Sequence, residues 1–461
     1  MRWKTSAIPS RKRATHWLPA LAFAGVILLG TLLLMLPAAR RPDQPASFGT
    51  ALFLATSAVC VTGLTPVEIS RHLSPFGLGV LLLLVQLGGL GIMTLGTLLL
   101  EVIGRRLSLS NEQLLASSLG SPATGRLRSL LWRIVLFTGA WELGGALLLA
   151  WRYHNLWGFA PARALRHGLF HSISAFCNAG LSLYPDSLAR FASDPWYLLI
   201  IACLVIAGGL GFIVHNNLAS LAPWRRNRLT RGRLSLHSRI VLLGTAILLV
   251  GGTCVFFRLE SGDALAGRST PLRWVGSFFE CASWRTAGFS TINPAELGGV
   301  TKALAMMMMF IGGAPGSTAG GIKVSTMVVL AATMVAITRN RDEIEFAGRT
   351  IPARTVRESI TIALLGLLWV ICASLVLHLV ERGAFAPHSS LSLPLLFETV
   401  SAVGTVGLSH NITPQLSTAG RLLICLCMFV GRLGPLTIAL NISGAASNPA
   451  RRYPEENVIV G

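Results

Sequence analysis

Four similar segments of the sequence could bind a cation through their backbone. Each has a phenylalanine, three residues, two small residues, four residues, a glycine, then Leu or Phe and Ser or Thr. The glycines of these segments are Gly63, Gly180, Gly288 and Gly407. Glycine reaches the left-handed conformation that turns a carbonyl oxygen inward, and a ring of carbonyl oxygens can replace the hydration shell of a monovalent cation. We therefore predict that the four segments form one cation filter.

The residues predicted to line this filter lead up to and include each glycine. They are Val59, Cys60, Val61, Thr62, Gly63, Cys177, Asn178, Ala179, Gly180, Arg285, Thr286, Ala287, Gly288, Gly404, Thr405, Val406 and Gly407. A short helix ahead of each segment would point the negative end of its dipole at the cation. A single glycine turn is more typical of close helix packing, but four aligned copies favour a pore.

A second group of glycines follows each filter segment at a nearly constant distance. These glycines lie in 88–91, 208–211, 312–316 and 431–434. Helix packing or kinking accounts for the first two copies. The third continues as GGAPGSTAGGIK over 312–323, and no continuous helix survives that composition. Irregular backbone at membrane depth must lie against protein or water, so this loop is predicted in the conduction path or beside it.

The fourth copy of this level contains Arg432. An arginine within a spanning segment is costly and is a candidate for function. We predict a fixed positive charge that limits cation occupancy below the filter. Two alternatives remain open, namely an arginine that extends to the cytoplasmic interface and one that pairs with a nearby acid.

The composition places these segments in a membrane. Of 461 residues, 52% are hydrophobic and 13% are charged, and the mean hydropathy is +0.63, whereas soluble domains contain about 25% charged residues. The net charge of +20 falls in short runs between apolar segments, which is typical of membrane topology rather than of nucleic-acid binding. The eight cysteines are predicted to be buried thiols, not metal ligands or disulfides. The sequence has no HExxH or GxSxG motif, which argues against an enzyme.

Eight apolar segments are long enough to span the bilayer, with a shorter one between the members of each pair. The long segments are 16–38, 75–103, 130–151, 196–222, 239–258, 300–338, 358–380 and 417–442. The short ones, at 47–58, 164–175, 272–283 and 391–402, are predicted to be re-entrant pore helices. Arginine and lysine cluster before the first span, after every second span and behind the last, so both termini are predicted to be cytoplasmic.

We predict an all-α polytopic membrane protein with four covalently linked repeats of M1, pore helix and M2, arranged with pseudo-fourfold symmetry around one pore. Repeat 1 covers 1–105, repeat 2 covers 106–225, and repeat 3 covers 226–345 with a broken second span and the intramembrane loop 312–323. Repeat 4 and a cytoplasmic tail cover 346–461.

The filter strings resemble those of the Trk/Ktr/HKT superfamily of potassium transporters. The strings are VCVTGL at 59–64, FCNAGLS at 176–182, RTAGFS at 285–290 and GTVGLS at 404–409. The chain length and the tail around Tyr453 resemble the Ktr membrane subunit in particular. This resemblance implies potassium uptake across a bacterial cytoplasmic membrane, K⁺ bound at the filter carbonyls, no covalent cofactor, and Na⁺ as a candidate activator. It also implies a homodimer with a cytosolic nucleotide-binding regulatory ring.

The same resemblance implies that the glycine-rich loop and the arginine gate the pore. The gate residues would be Gly312, Gly313, Gly316, Ser317, Thr318, Gly320, Gly321, Lys323 and Arg432. The alternative function is a Na⁺- or H⁺-coupled potassium symporter with the same architecture, in which Glu142 would carry the proton. Glu280 and Glu398 on the re-entrant helices either raise the local cation concentration or pair with Arg285 behind the filter.

Overall fold

The computed structural model describes residues 18–91, 127–221, 234–341, 343–382 and 392–434. Within these ranges the chain is mostly α-helical, and one pattern of an outer helix, a pore helix and an inner helix occurs four times. The predicted fold class, an all-α membrane protein built from four linked repeats, is confirmed.

The bounds of the helices follow the apolar pattern of the sequence. The outer helices are Leu18–Met35, Leu127–Asn155, Leu236–Glu260 and Ala353–Glu381. The pore helices are Phe48–Val59, Pro161–Phe176, Thr270–Trp284 and Ser392–Gly404. The inner helices are Pro75–Leu90, Pro195–Ser220, the pair Gly299–Phe310 and Val324–Thr338, and Thr418–Leu433.

Small elements join these helices. They are the short helix Ile69–His72, the 3₁₀ turns Pro37–Ala39, Ala189–Phe191, Pro294–Glu296 and Thr413–Gln415, and an antiparallel hairpin of Glu345–Phe346 with Arg349–Thr350.

The starts of three inner helices are fixed by capping side chains. Ser74, Asp194 and Ser417 each accept a hydrogen bond of 3.1 Å from the backbone N–H three residues further on. Proline follows the first two caps, where its missing N–H has no helical partner to lose. These caps fix the point at which the chain turns from the loop after each filter segment into the inner helix.

Four of the described helices are long and apolar enough to cross a membrane. They are Trp132–Asn155, Pro195–Ser220, Leu236–Glu260 and Ala353–Glu381. The other predicted spans contain shorter apolar helices, for example Pro75–Leu90 and Gly299–Phe310. Large apolar side chains such as Leu136, Ile247 and Leu364 are more than half exposed, as expected for side chains that contact lipid.

The inner helices change at one common level. The first ends at Gly91, the second is kinked at Gly211 and the fourth ends at Gly434, and all three glycines have positive φ. At this level the third inner helix is interrupted altogether between Phe310 and Val324. The interruption agrees with the prediction for 312–323. A glycine with left-handed backbone cannot continue a helix, which explains the end of the first inner helix at Gly91 and the kink of the second at Gly211.

Several sequence predictions concern residues outside the described ranges. The basic segments near 2–13, 105–126, 225–233 and 451–452, from which the orientation was predicted, lie outside them, as does the tail around Tyr453.

Candidate functional site

The four filter segments have the same backbone conformation. Each filter glycine has a positive φ, between 63° for Gly180 and 100° for Gly407. The residue two positions before each glycine also has a positive φ, and these residues are Val61, Asn178, Thr286 and Thr405. Left-handed backbone at a β-branched residue costs about 1–2 kcal/mol and persists only where the surroundings enforce it. The left-handed backbone occurs in all four copies at the same position, on a β-branched residue in three copies and on Asn178 in the second, where asparagine adopts it more readily.

Contacts between the segments close into a ring. A Cβ built on Gly63 would collide with the carbonyl oxygen of Ala179, and one built on Gly180 would collide with that of Ala287. In the same way Gly288 abuts the carbonyl oxygen of Val406. The ring returns to its start where Gly407 abuts the carbonyl oxygen of Thr62. Every filter glycine therefore packs against the carbonyl of the residue that precedes the next repeat's glycine.

Serines on the pore helices hold the filter backbone from behind. The Oγ atoms of Ser57 and Ser401 accept hydrogen bonds of 3.0 Å from the N–H groups of Gly63 and Gly407. In the second repeat, Ser174 Oγ donates instead to the carbonyl of Leu181 at 2.8 Å. The sequence motif recorded these serines only as small residues. The small size allows close approach to the filter, and the hydroxyl supplies the bond.

The third repeat is shifted by one residue relative to its glycine. Ser283, rather than the aligned Ala282, donates to the carbonyl of Phe289 at 2.5 Å. Likewise Phe279 is buried in the position that the motif assigned to Phe278. The motif alignment was therefore wrong by one residue in this repeat, because the pore helix is placed by its packing and hydrogen bonds and not by its distance to Gly288.

The first residues of the predicted filter segments belong to the C-terminal ends of the pore helices. Val59 and Gly404 are the last residues of their helices, and Cys60 and Cys177 are C-caps. The residues with extended or left-handed backbone lie closer to the glycines. Arg285 is the C-cap of the third pore helix, and its Nη2 donates to the carbonyl of Gly312 at 3.3 Å.

An open cavity of about 530 Å³ lies on one side of the filter. The four filter glycines are part of its lining. The rest comes from the loops that follow each filter segment, including Glu68, Asp186, Asn293 and Asn411. Both carboxylates pair with arginines of their own loop, Glu68 with Arg71 and Asp186 with Arg190. The charged side chains that line this vestibule are thus both acidic, and each is paired with an arginine outside the lining.

Several buried oxygens of the filter segments have no hydrogen-bond partner among the described residues. They are Thr62 Oγ1, Asn178 Oδ1, Thr286 Oγ1 and Thr405 Oγ1. A buried oxygen that makes no hydrogen bond is energetically costly unless a ligand or an ion satisfies it. Together with the carbonyl ring, these hydroxyl and amide oxygens suit a cation that exchanges its water for neutral oxygen ligands.

The predicted gate loop passes beneath the filter. Its two ends pair as an isolated parallel bridge between Ile311 and Ile322. The middle of the loop binds the second repeat, where Ala314 N donates to the carbonyl of Gly209 at 2.9 Å. A Cβ on Gly320 would collide with the side chain of Thr405. The loop therefore contacts both the second and the fourth repeat directly below their filter segments.

Thr318 is the point at which the loop meets the second filter segment. Its Oγ1 accepts a hydrogen bond of 2.8 Å from Asn178 Nδ2 and donates one of 3.0 Å to the carbonyl of Phe176. Its backbone N–H donates to Gly208 at 3.3 Å. One loop residue is thus bound to a filter segment, a pore helix and an inner helix.

Arg432 joins the loop to two other repeats. Its Nη1 donates to the carbonyl of Thr318 at 2.5 Å, and its Nη2 donates to the carbonyl of Gly88. The side chain is part-buried and has no acidic partner within 4 Å in the described part of the chain. The sequence alternative in which Arg432 pairs with a nearby acid is therefore not what the structure has. Lys323 likewise donates to a carbonyl, that of Ala319, at 2.7 Å.

The buried carboxylates do not pair with Arg285. Glu280 Oε1 accepts bonds from Thr291, Glu398 accepts one from Thr413, and Glu142 accepts one of 3.1 Å from Gln86. Of the two alternatives for Glu280 and Glu398, pairing with Arg285 is not what the structure has, because Arg285 donates to the loop 312–323 while the two carboxylates bind the loops after the filter.

The fold and this site define a polytopic helical membrane protein with four filter segments around one axis. The chain matches the TrkH family, described as cation transport proteins, over residues 21–448. It belongs to that family.

Curated relatives match over nearly the whole chain. The chain is 36% identical to the Ktr system potassium uptake protein B of Vibrio alginolyticus over 444 residues, covering 96% of this chain and 94% of the relative. It is 34% identical to the potassium/sodium uptake protein NtpJ of Enterococcus hirae over 445 residues, covering 96% of each.

The fold matches a solved member. The crystal structure of the potassium transporter TrkH from Vibrio parahaemolyticus superposes with a TM-score of 0.72 at 20% identity, covering 95% of this chain and 86% of that one. This match establishes the fold.

Proposed function

We propose that this protein takes up potassium ions across the bacterial cytoplasmic membrane, as a channel-like transporter without covalent chemistry. The observation that carries the proposal is the closed ring in which each filter glycine packs against the neighbouring repeat's carbonyl group. Backbone oxygens held at a fixed radius around one axis can replace the hydration shell of K⁺. The relatives named as potassium uptake proteins support the same ion.

The loop 312–323 and Arg432 act as the gate in this proposal. The loop lies below the filter and is bound to Asn178, and Arg432 bridges it to the inner helix of the first repeat. Release of the arginine would free the loop from two repeats at once. Its positive charge would also limit the occupancy of cations below the filter.

The coupled symporter is the weaker of the two mechanisms. The carboxylate it needs, that of Glu142, accepts hydrogen bonds from Gln86 Nε2 and from Cys177 Sγ, the latter at 3.6 Å. These contacts tie it to the side of the second filter segment and give it a structural role. Sodium enters the proposal as an activator or as a second transported ion, since one relative is named a potassium/sodium uptake protein.

The assembly is part of the proposal. We expect a homodimer whose cytoplasmic face binds a cytosolic nucleotide-binding ring. The support is membership of the family and the name of the Vibrio alginolyticus relative, which describes it as part of a Ktr system. Cells that express the chain with and without such a ring would differ in the nucleotide dependence of uptake.

The test is potassium uptake by bacteria that lack their own potassium uptake systems and express this chain, alone and with a cytosolic ring. Wild type should restore uptake, and Gly407→Ser should reduce the preference for K⁺ over Na⁺ because a side chain there meets Thr62. Gly251→Ser is the matched control, since a Cβ at that helical glycine meets nothing within 4 Å. Wild type that is present in the membrane yet silent with and without the ring would contradict the proposal.

A further inference from the structure

Three of the four pore helices carry a polar side chain three residues before the serine that holds the filter. These side chains are His171, Glu280 and Glu398, and in the first repeat the position is Leu54. Residues three apart on a helix share a face, so each polar side chain lies beside its serine on the face that packs against the filter. The spacing to the serine is the same in all repeats, including the third, in which the glycine is shifted.

Glu280 binds the loop that leaves the third filter segment. Its Oε1 accepts two hydrogen bonds from Thr291, one of 2.7 Å from the backbone N–H and one of 2.8 Å from Oγ1. Three residues along the same helix, Ser283 donates to the carbonyl of Phe289. The pore helix therefore holds the backbone just beyond Gly288 at two successive points.

Glu398 makes the corresponding contact in the fourth repeat. It accepts a hydrogen bond from Thr413 Oγ1, and that hydroxyl also lies 3.1 Å from Ser409 Oγ. Ser409 is two residues beyond Gly407. In the second repeat His171 Nε2 lies 3.3 Å from Ser182 Oγ, which is a longer contact to the equivalent loop.

Neither carboxylate faces the ion path. Glu280 is 2% exposed and Glu398 is fully buried, and neither side chain lines the vestibule above the filter. The bonded oxygens are occupied by threonine donors. An effect through the local concentration of cations would require the carboxylates to face that vestibule.

We propose that Glu280 and Glu398 are positioning residues that fix the outer ends of the third and fourth filter segments and thereby set the preference for K⁺ over Na⁺. This inference rests on the proposed function. A filter discriminates ions only if its oxygens cannot close around the smaller one. A carboxylate that holds the loop beyond the glycine resists that collapse, Glu280 by binding Thr291 and Glu398 by binding Thr413, which contacts Ser409. The first repeat has Leu54 at this position and lacks such a contact, so the four filter segments are not held equally.

The experiment compares glutamine and leucine at each position. Glutamine keeps a carbonyl oxygen that accepts from threonine, whereas leucine keeps only the volume. We expect Glu280→Gln and Glu398→Gln to retain the K⁺/Na⁺ uptake ratio within about twofold. Glu280→Leu and Glu398→Leu should lower the ratio by about tenfold, which corresponds to about 1.4 kcal/mol.

The matched control is Glu260, a buried carboxylate at the end of the third outer helix. It accepts from Thr301 Oγ1 and from the N–H of Gly298 at 3.3 Å, a similar bonding pattern at a site away from the filter. Glu260→Leu should lower the amount of folded protein without changing the ion ratio of what remains. Thr291→Val removes one donor to Glu280 by a milder change and should lower the ratio less than Glu280→Leu, and it serves as the test if the leucine variant does not fold.

The outcomes separate the two levels of inference. Wild type that carries no potassium contradicts the proposed function itself. Wild type that carries potassium, with an unchanged ratio in Glu280→Leu or, if that does not fold, Thr291→Val, overturns the positioning role alone. If the KM for K⁺ rises equally in Glu280→Gln and Glu280→Leu, the charge of Glu280 and not its hydrogen bonds affects potassium uptake. That result would also overturn the positioning role.

Discussion

The filter and the level directly below it are built on opposite principles. At the filter, four segments from four repeats have the same left-handed residues and the same glycine-to-carbonyl contacts. Below it, each repeat contributes something different, namely a helix end at Gly91, a kink at Gly211, an irregular loop at 312–323, and an arginine. An ion on the axis requires ligands at equal distances, so the filter tolerates little divergence, whereas a gate requires only one element that can move.

The comparison predicts that the filter glycines are equivalent. Alanine at Gly63 or Gly180 should lower the K⁺/Na⁺ uptake ratio by at least about tenfold, since each position combines a positive φ with a carbonyl oxygen where a Cβ would lie. Ion uptake by the two variants in deficient cells is the measurement. The control is Gly139→Ala, where a Cβ meets nothing within 4 Å. A large effect at one glycine and none at the other would show that the ring is not functionally symmetric.

Below the filter, we expect the side chain of Arg432 to have the largest effect on potassium flux. Arg432→Ala removes bonds to the carbonyls of Thr318 and Gly88, and we expect potassium flux to rise by about tenfold because the loop is released. Arg421→Ala is the matched control, since Arg421 lies near the opposite end of the same helix and also donates to a carbonyl, that of Pro414. Flux through purified protein in liposomes measures the change. Equal flux in wild type and Arg432→Ala would remove the arginine from the gate.

The smallest expected effect lies in the loop after the fourth filter segment. Burial, together with a smaller repulsion from Lys302, lowers the pKa of His410 from 6.5 to about 4, and the ring packs against Phe397. Because His410 binds fewer protons in the folded state than in the unfolded state, the free energy of unfolding is highest above about pH 6.5 and decreases as the pH falls toward 4.

A thermal melt of the purified protein between pH 7 and pH 4 measures this effect. We expect the melting temperature to fall over that range and His410→Gln to reduce the fall, because it removes the titrating group. The control is His154→Gln, which changes an exposed histidine of the second repeat whose Nδ1 donates a hydrogen bond to the carbonyl of Phe159. An identical pH dependence in His410→Gln and wild type would exclude His410 as its source.

Much of this molecule follows from local sequence. The apolar segments determined the helices, and the four glycine motifs determined where the filter segments lie. The composition of 312–323 determined that the third inner helix is broken. These features depend on residues close together in the chain, such as the glycines and proline that cannot continue a helix. The fourfold repeat made the helices and the filter segments visible more than once, whereas the broken inner helix is marked in the third repeat alone.

Only the tertiary structure decided which side chains meet. Arg432 binds carbonyls that lie in the first and third repeats, Asn178 binds Thr318, and the carboxylates of Glu280 and Glu398 bind the loops after the filter instead of an arginine. The one-residue shift of the third pore helix was also hidden in the sequence. In each case the partners are set by how the repeats pack around the axis, and a buried polar group takes the partner that packing brings within reach.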